Sequence, residues 1–158
     1  MNKIEKWHKD FIRIAYIFGE HSTCIRKHVG SIIVKDKRII SCGYNGTPKG
    51  IEHCSEKFKN IDFKELNTAG TPLNLAHHEF SEVYEVHAEA NAIAFCAKYE
   101  ISLDGADIYC TLSPCVNCAK LIAQAGIKRV FYHEKYDRNT DGLDMLEKLG
   151  IEVIQVDL

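Results

Sequence analysis

Three short runs rich in β-branched and aromatic residues, 106–112, 128–133 and 151–156, are each separated from the next by a stretch of helical character. No other feature of the chain constrains its fold as much. Strands joined through a helix cannot form a hairpin, so these three pack as parallel neighbours in one sheet with helices covering it. The intervening segments 115–125 and 140–149 read as those helices, the second ending at Gly150. The Ile/Val content of the last run suits an interior place in the sheet.

Upstream the pattern changes. Ile4, Trp7, Phe11, Ile14 and Phe18 recur at three- and four-residue steps, which predicts an amphipathic helix over about residues 3–20. The runs 29–34 and 38–42 flank the turn-prone Lys35-Asp36-Lys37 and predict an antiparallel hairpin. From Gly43 to about Ser81 the periodicity fades, and the segment reads as a long loop with at most a short helix. Residues 88–99 return to helix. The order is αββ followed by αβαβαβ, an α/β chain with a mixed sheet between helices. With 158 residues and 46% hydrophobic content, it is expected to form a single domain over residues 1–158.

Charge and cysteine usage narrow the class. Twenty basic against 22 acidic residues leave a formal charge of −2, and no basic run exceeds the pairs Arg26-Lys27, Lys37-Arg38 and Lys128-Arg129. That argues against a dedicated nucleic-acid surface. The first ten residues lack the apolar core of a secretory signal, and no apolar stretch is long enough to span a bilayer. Seven cysteines then point to a reducing compartment, and to metal or core roles in a cytosolic protein.

Two motifs carry chemistry. His87-Ala88-Glu89 opens one helix and Pro114-Cys115-Val116-Asn117-Cys118 opens another, with Pro114 suited to the first turn of the second. An imidazole and two thiolates are good zinc ligands, and a helix N-terminus favours ionised thiols. Three ligands leave a fourth position for water, and Glu89 is close enough along the chain to move its protons. His-x-Glu paired with Pro-Cys-x-x-Cys is the signature of zinc-dependent nucleobase deaminases. A structural zinc site would want a fourth Cys or His instead. Cys110, the nearest spare thiol, falls within a predicted strand and reads as core, as do Cys42 and Cys96.

With His87-Ala88-Glu89-Ala90-Asn91-Ala92-Ile93, Thr111-Leu112-Ser113-Pro114-Cys115 and Gly43-Tyr44-Asn45-Gly46 all present, the chain resembles the deoxycytidylate (dCMP) deaminases, and most closely their phage-type members. The resemblance runs from about Ile14 to Val156. It implies the three-layer α/β/α fold of the cytidine deaminase superfamily, with a central mixed five-stranded sheet. It implies zinc-dependent hydrolysis of dCMP to dUMP and ammonia through attack on C4 of the ring, supplying dUMP for dTMP synthesis. By similarity, Glu89 is catalytic, Asn45 hydrogen-bonds the deoxyribose, Tyr136 of Tyr136-Asp137-Arg138 contacts the nucleotide, and the backbone around Thr111, Leu112 and Ser113 cradles the base. Read alone, Tyr136 fits a packing residue equally well, and Arg26 and Lys27 fit either phosphate contacts or solvated charges.

The resemblance also implies a second, structural zinc on Cys24, Cys54, His77 and Glu85, with His53 and His78 adjacent as alternative ligands. Without it, these are two buried thiols, a surface histidine and a helix-leading carboxylate. It implies further a cytoplasmic homohexamer, in the host cytoplasm if phage-encoded, activated by dCTP and inhibited by dTTP with Mg2+. Three readings remain beside dCMP: a deaminase acting also or mainly on dCTP, a nucleic-acid-editing deaminase, and a noncatalytic zinc-stabilised protein.

Overall fold

The computed structural model describes residues 3–136 and 139–158, without the side chains of residues 3 and 4. Ile4 of the apolar stripe, with Asp137 and Arg138, therefore lies outside what is described. The elements run α1 (Lys3–Gly19), β1 (Gly30–Lys35), β2 (Arg38–Tyr44), α2 (Cys54–Lys57), α3 (Phe63–Asn67), α4 (Pro72–Tyr84), α5 (Ala88–Lys98), β3 (Asp107–Leu112), α6 (Val116–Gln124), β4 (Arg129–Glu134), α7 (Asp141–Lys148) and β5 (Glu152–Gln155).

The sheet order is β2-β1-β3-β4-β5, with β1 antiparallel to β2 and β3, and β3, β4 and β5 parallel. Asp36 and Lys37 both take left-handed φ, 50° and 60°, which turns β1 into β2 with the twist that two-residue hairpins prefer. Two cross-strand rows organise the core. Ile32, Tyr109, Phe131 and Ile154 are aligned across β1, β3, β4 and β5, and so are Ile33, Ile108, Val130 and Val153. Because side chains alternate along a strand, the two rows face opposite sides. The first packs on Phe11, Ile12 and Ala15 of α1, the second on Ala92, Ala119, Ile122, Leu143 and Leu146 of α5, α6 and α7. The result is the expected three-layer arrangement. Trp7 from the predicted stripe stays 39% exposed, and Ile12 and Ala15 take the fully buried places.

Four expectations are corrected. The segment read as loop contains three helices. Of these, α4 is properly capped, with the Thr71 hydroxyl accepting from Asn74 N at 3.2 Å and Pro72 in the first turn. Gly43 and Tyr44, read as loop, close β2. Pro114 precedes the N-cap Cys115 and so stands outside the helix it was placed in. Finally, 151–156 is the edge of the sheet: among the described residues β5 pairs only with β4, and its Ile/Val content reflects the helices over both faces more than its position. Among the described residues no helix is long and apolar enough to cross a membrane.

Candidate active site

The C-terminal ends of β3 and β4 and the start of β1 meet at one end of the sheet, where α5 and α6 begin. His87 is the N-cap of α5 and Cys115 the N-cap of α6, with Cys118 one turn inside. Two glycines bring these helix starts close. At Gly43 a Cβ would overlap the Ala88 carbonyl, and at Gly142 it would overlap the Pro114 carbonyl, so β2 supports the first turn of α5 and α7 supports the cysteine loop. Asn91 adds a hydrogen bond, Nδ2 to Tyr44 O at 2.7 Å.

Three donor atoms converge there. His87 Nδ1 lies 3.4 Å from Cys115 Sγ and 3.5 Å from Cys118 Sγ. Tetrahedral zinc, with bonds of about 2.3 Å to sulfur and 2.0–2.1 Å to nitrogen, would separate such atoms by about 3.6 Å. The cluster therefore fits zinc without rearrangement. Hydrogen bonding between the two cysteines lowers the Cys115 thiol and raises that of Cys118, so one thiolate is favoured in the pair, with His87 adding to the effect on Cys115. His87 is correspondingly raised to about 9, mainly by Cys115 and against the opposing pull of burial. Such a site wants a cation. Glu89 does not join the cluster. It is 4% exposed, receives the Cys118 thiol at 3.6 Å on Oε2, and is raised above the usual carboxylate range chiefly by burial.

A second cluster lies under α4. His77 Nε2 is 3.4 Å from Cys54 Sγ and 3.7 Å from Cys24 Sγ, and all three residues are buried. These spacings again fit a tetrahedral metal. Hydrogen bonding between the two cysteines lowers the Cys24 thiol and raises that of Cys54, with His77 and the backbone of Lys27 and Arg26 adding to the lowering. Glu85 is outside the tight trio, yet its Oε1 is buried without a partner while Oε2 accepts from Ser81 at 2.7 Å. Burial, then the Cys24 charge, push its pKa up. Two thiols and an imidazole with an orphaned carboxylate oxygen nearby could together hold a tetrahedral zinc. His78 is exposed and His53 faces Thr23 and Thr47, so neither displaces His77 or Cys54 from the cluster. Cys110 and Cys96 are core, and Cys42 packs half-buried beneath α1.

A polar cavity of about 170 Å³ opens at the same end of the sheet as the trio, where β1 begins and β3 and β4 end, lined by Lys27, His28, Val29, Thr111, Leu112 and Glu134. Asn45 shapes its wall: Oδ1 accepts from Val29 N and Nδ2 donates to Lys27 O, both at 2.9 Å. That leaves one amide hydrogen for another partner. Thr111 Oγ1 accepts from Gly30 N at 3.1 Å, and Ser113 Oγ from Tyr136 N at 2.8 Å, so both hydroxyls brace the backbone. Lys27 lies over the Tyr136 ring at 5.7 Å. Arg26 is half-buried and does not line the cavity. His28 and Glu134 were not singled out from the sequence; the one available signal was that they flank strand ends at the carboxyl edge of the sheet.

The family model for the cytidine and deoxycytidylate deaminase zinc-binding region matches residues 5–134. The deoxycytidylate deaminase of Enterobacteria phage T2 is 41% identical, over 92% of this chain and 89% of that protein. ComE operon protein 2 of Bacillus subtilis is 38% identical, over 96% and 72%. Among solved structures, a dCMP deaminase from cyanophage S-TIM5 in complex with dCMP and dUMP superposes with a TM-score of 0.74 at 38% identity, covering 97% of each chain. Sequence, fold and donor geometry agree, and the chain belongs to the zinc-binding cytidine and deoxycytidylate deaminase family.

Proposed function

We propose that this protein hydrolyses dCMP to dUMP and ammonia, supplying dUMP for dTMP synthesis, with zinc held by His87, Cys115 and Cys118 and with Glu89 as the proton carrier. The observation that carries the reading is a buried carboxylate, raised in pKa, set against a three-donor cluster that no fourth protein donor joins among the described residues. The phage relatives named deoxycytidylate deaminase and the cyanophage structure with dCMP and dUMP support the substrate.

Zinc held at the trio supplies Lewis acidity that lets water attack near neutral pH. Glu89 then takes the proton that water gives up, delivers it to the ring nitrogen beside C4, and protonates the amine as it departs as ammonia. Its raised pKa suits a group that must both accept and donate. Thr111, Leu112 and Ser113 present backbone to the base, Asn45 offers its remaining amide hydrogen to the sugar, and Tyr136 with Lys27 flanks the phosphate. His28, which lines the same cavity, shares that task, while Arg26 lies outside the lining.

A second zinc on Cys24, Cys54, His77 and Glu85 is structural in this reading. It ties α2 and α4 to the segment entering β1, where apolar cover is limited to Cys24, Cys54, Phe58, Phe80 and a few half-buried neighbours. The chain acts as one domain over residues 1–158. Resemblance to phage-type enzymes supports a cytoplasmic homohexamer activated by dCTP and inhibited by dTTP with Mg2+.

The test is ammonia release by purified protein from cytidine, deoxycytidine, CMP, dCMP, dCTP and guanine, with and without added dCTP or dTTP. Preference for dCMP is expected. Faster turnover of dCTP as substrate, or deamination within oligonucleotides at moderate salt, overturns the reading.

A further inference from the structure

We infer that Glu134, oriented by Tyr16, is the acceptor that reads the 3′-hydroxyl of the nucleotide's deoxyribose. The inference rests on the dCMP reading of the site and names its sugar contact.

Glu134 ends β4 and lines the polar cavity with Lys27 and His28. A carboxylate in a pocket that must receive a phosphate ester is unexpected, and its surroundings sharpen the question. Neither Lys27 nor His28 lies within ion-pair distance of it. Its Oε1 instead receives the Tyr16 hydroxyl at 2.5 Å, and Oε2 has no hydrogen-bond partner among the described residues. Tyr16 belongs to α1, in the opposite layer of the molecule, and its ring meets His133 edge-on at 5.8 Å. Burial, then Glu134 itself, raises the Tyr16 pKa, which keeps the phenol protonated as a donor. The carboxylate is thus fixed from outside the pocket and keeps one oxygen free.

An ionised carboxylate only accepts hydrogen bonds. On dCMP the available donors are the exocyclic amine and the sugar hydroxyl. The amine is the leaving group and must stand at Glu89, and the phosphate is repelled by Glu134 and drawn to Lys27. The 3′-hydroxyl is the group that remains. An O–H···O⁻ bond of this kind is charge-assisted, and an acceptor already held in place loses little freedom on forming it.

The experiment compares kcat/KM for dCMP and for 2′,3′-dideoxycytidine 5′-monophosphate in the wild type, Glu134→Gln and Tyr16→Phe. Deleting the hydroxyl should cost the wild type about 10- to 100-fold. In Glu134→Gln, dCMP itself should fall by a similar factor, and deleting the hydroxyl should cost no more than about threefold further. Tyr16→Phe should give an intermediate penalty, expressed mainly in KM. Because Glu134 is exposed, its variant is expected to fold, and zinc content checks this. If Glu134→Gln discriminates between the two nucleotides as strongly as the wild type, the inference is wrong; discrimination lost instead in Asn45→Ala would assign the hydroxyl to Asn45. Wild-type protein inactive on dCMP would sink the deaminase reading itself.

Discussion

Glu89 and His77 are both buried ionisable side chains, and their neighbours give them opposite duties. Glu89 is held out of the metal cluster and near it, so Glu89→Gln should lower kcat by roughly 10²–10⁴-fold while zinc content and thermal unfolding stay unchanged. Unaltered ammonia release would refute its role. His77 presents Nε2 to two sulfurs, so its loss, or that of Cys54, should reduce zinc from two atoms per chain to one by elemental analysis. A wild type carrying a single zinc would remove the second centre. The catalytic donors were legible in the sequence because each motif spans one helical turn, so residue spacing there already is geometry. The second trio was not: Cys24 and His77 are 53 residues apart, and only likeness to a family brought them together. Glu134 was missed for a related reason, since nothing local marks a carboxylate that a tyrosine 118 residues away holds in place.

Elements show the same division between local and distant signals. The strand-helix alternation of the second half and the amphipathic first helix were readable because their periodicity is strong. Helix α4 was not read, although Thr71-Pro72 is a start signal and Leu73, His77, Phe80 and Tyr84 repeat at helical steps. Its apolar stripe is interrupted by His77, which turns its imidazole toward the Cys24 and Cys54 sulfurs, and a polar residue at a core position weakens the pattern. The edge position of β5 was misread because strand composition reports cover over the faces, not pairing at the sides. The join between α7 and the cysteine loop offers a test at this scale. Gly142→Ala would press a methyl into the Pro114 carbonyl, and should destabilise the protein by about 1–3 kcal/mol and weaken the catalytic zinc. Denaturant unfolding with chelator competition measures both, and a variant matching the wild type in each would show that the loop yields freely.

Across the whole molecule, α1 is joined to the sheet through His8, which stacks on Phe131 at 4.2 Å and shares a hydrogen bond with the Tyr109 hydroxyl at 2.8 Å. Burial, then Arg129, lowers the His8 pKa below 6.5, against Asp107 and Glu152. The folded state therefore prefers neutral His8. Its contribution to stability is complete above the unfolded-state pKa and is lost as pH falls below about 6.5 toward the folded value. The drop in Tm between neutral and mildly acidic buffer should accordingly shrink in His8→Leu; an equal drop in both proteins would assign the acid sensitivity elsewhere. At the other end of the sheet, residues 24–29 carry a different burden. Cys24 sits in the cluster with Cys54 and His77, Arg26 and Lys27 lend it their backbone, and Lys27, His28 and Val29 line the cavity. On the proposed second zinc, protein short of metal at that cluster should still turn over substrate at the His87, Cys115 and Cys118 centre, but with a raised KM. Michaelis constants from separate preparations are comparable only after the metal in each has been counted.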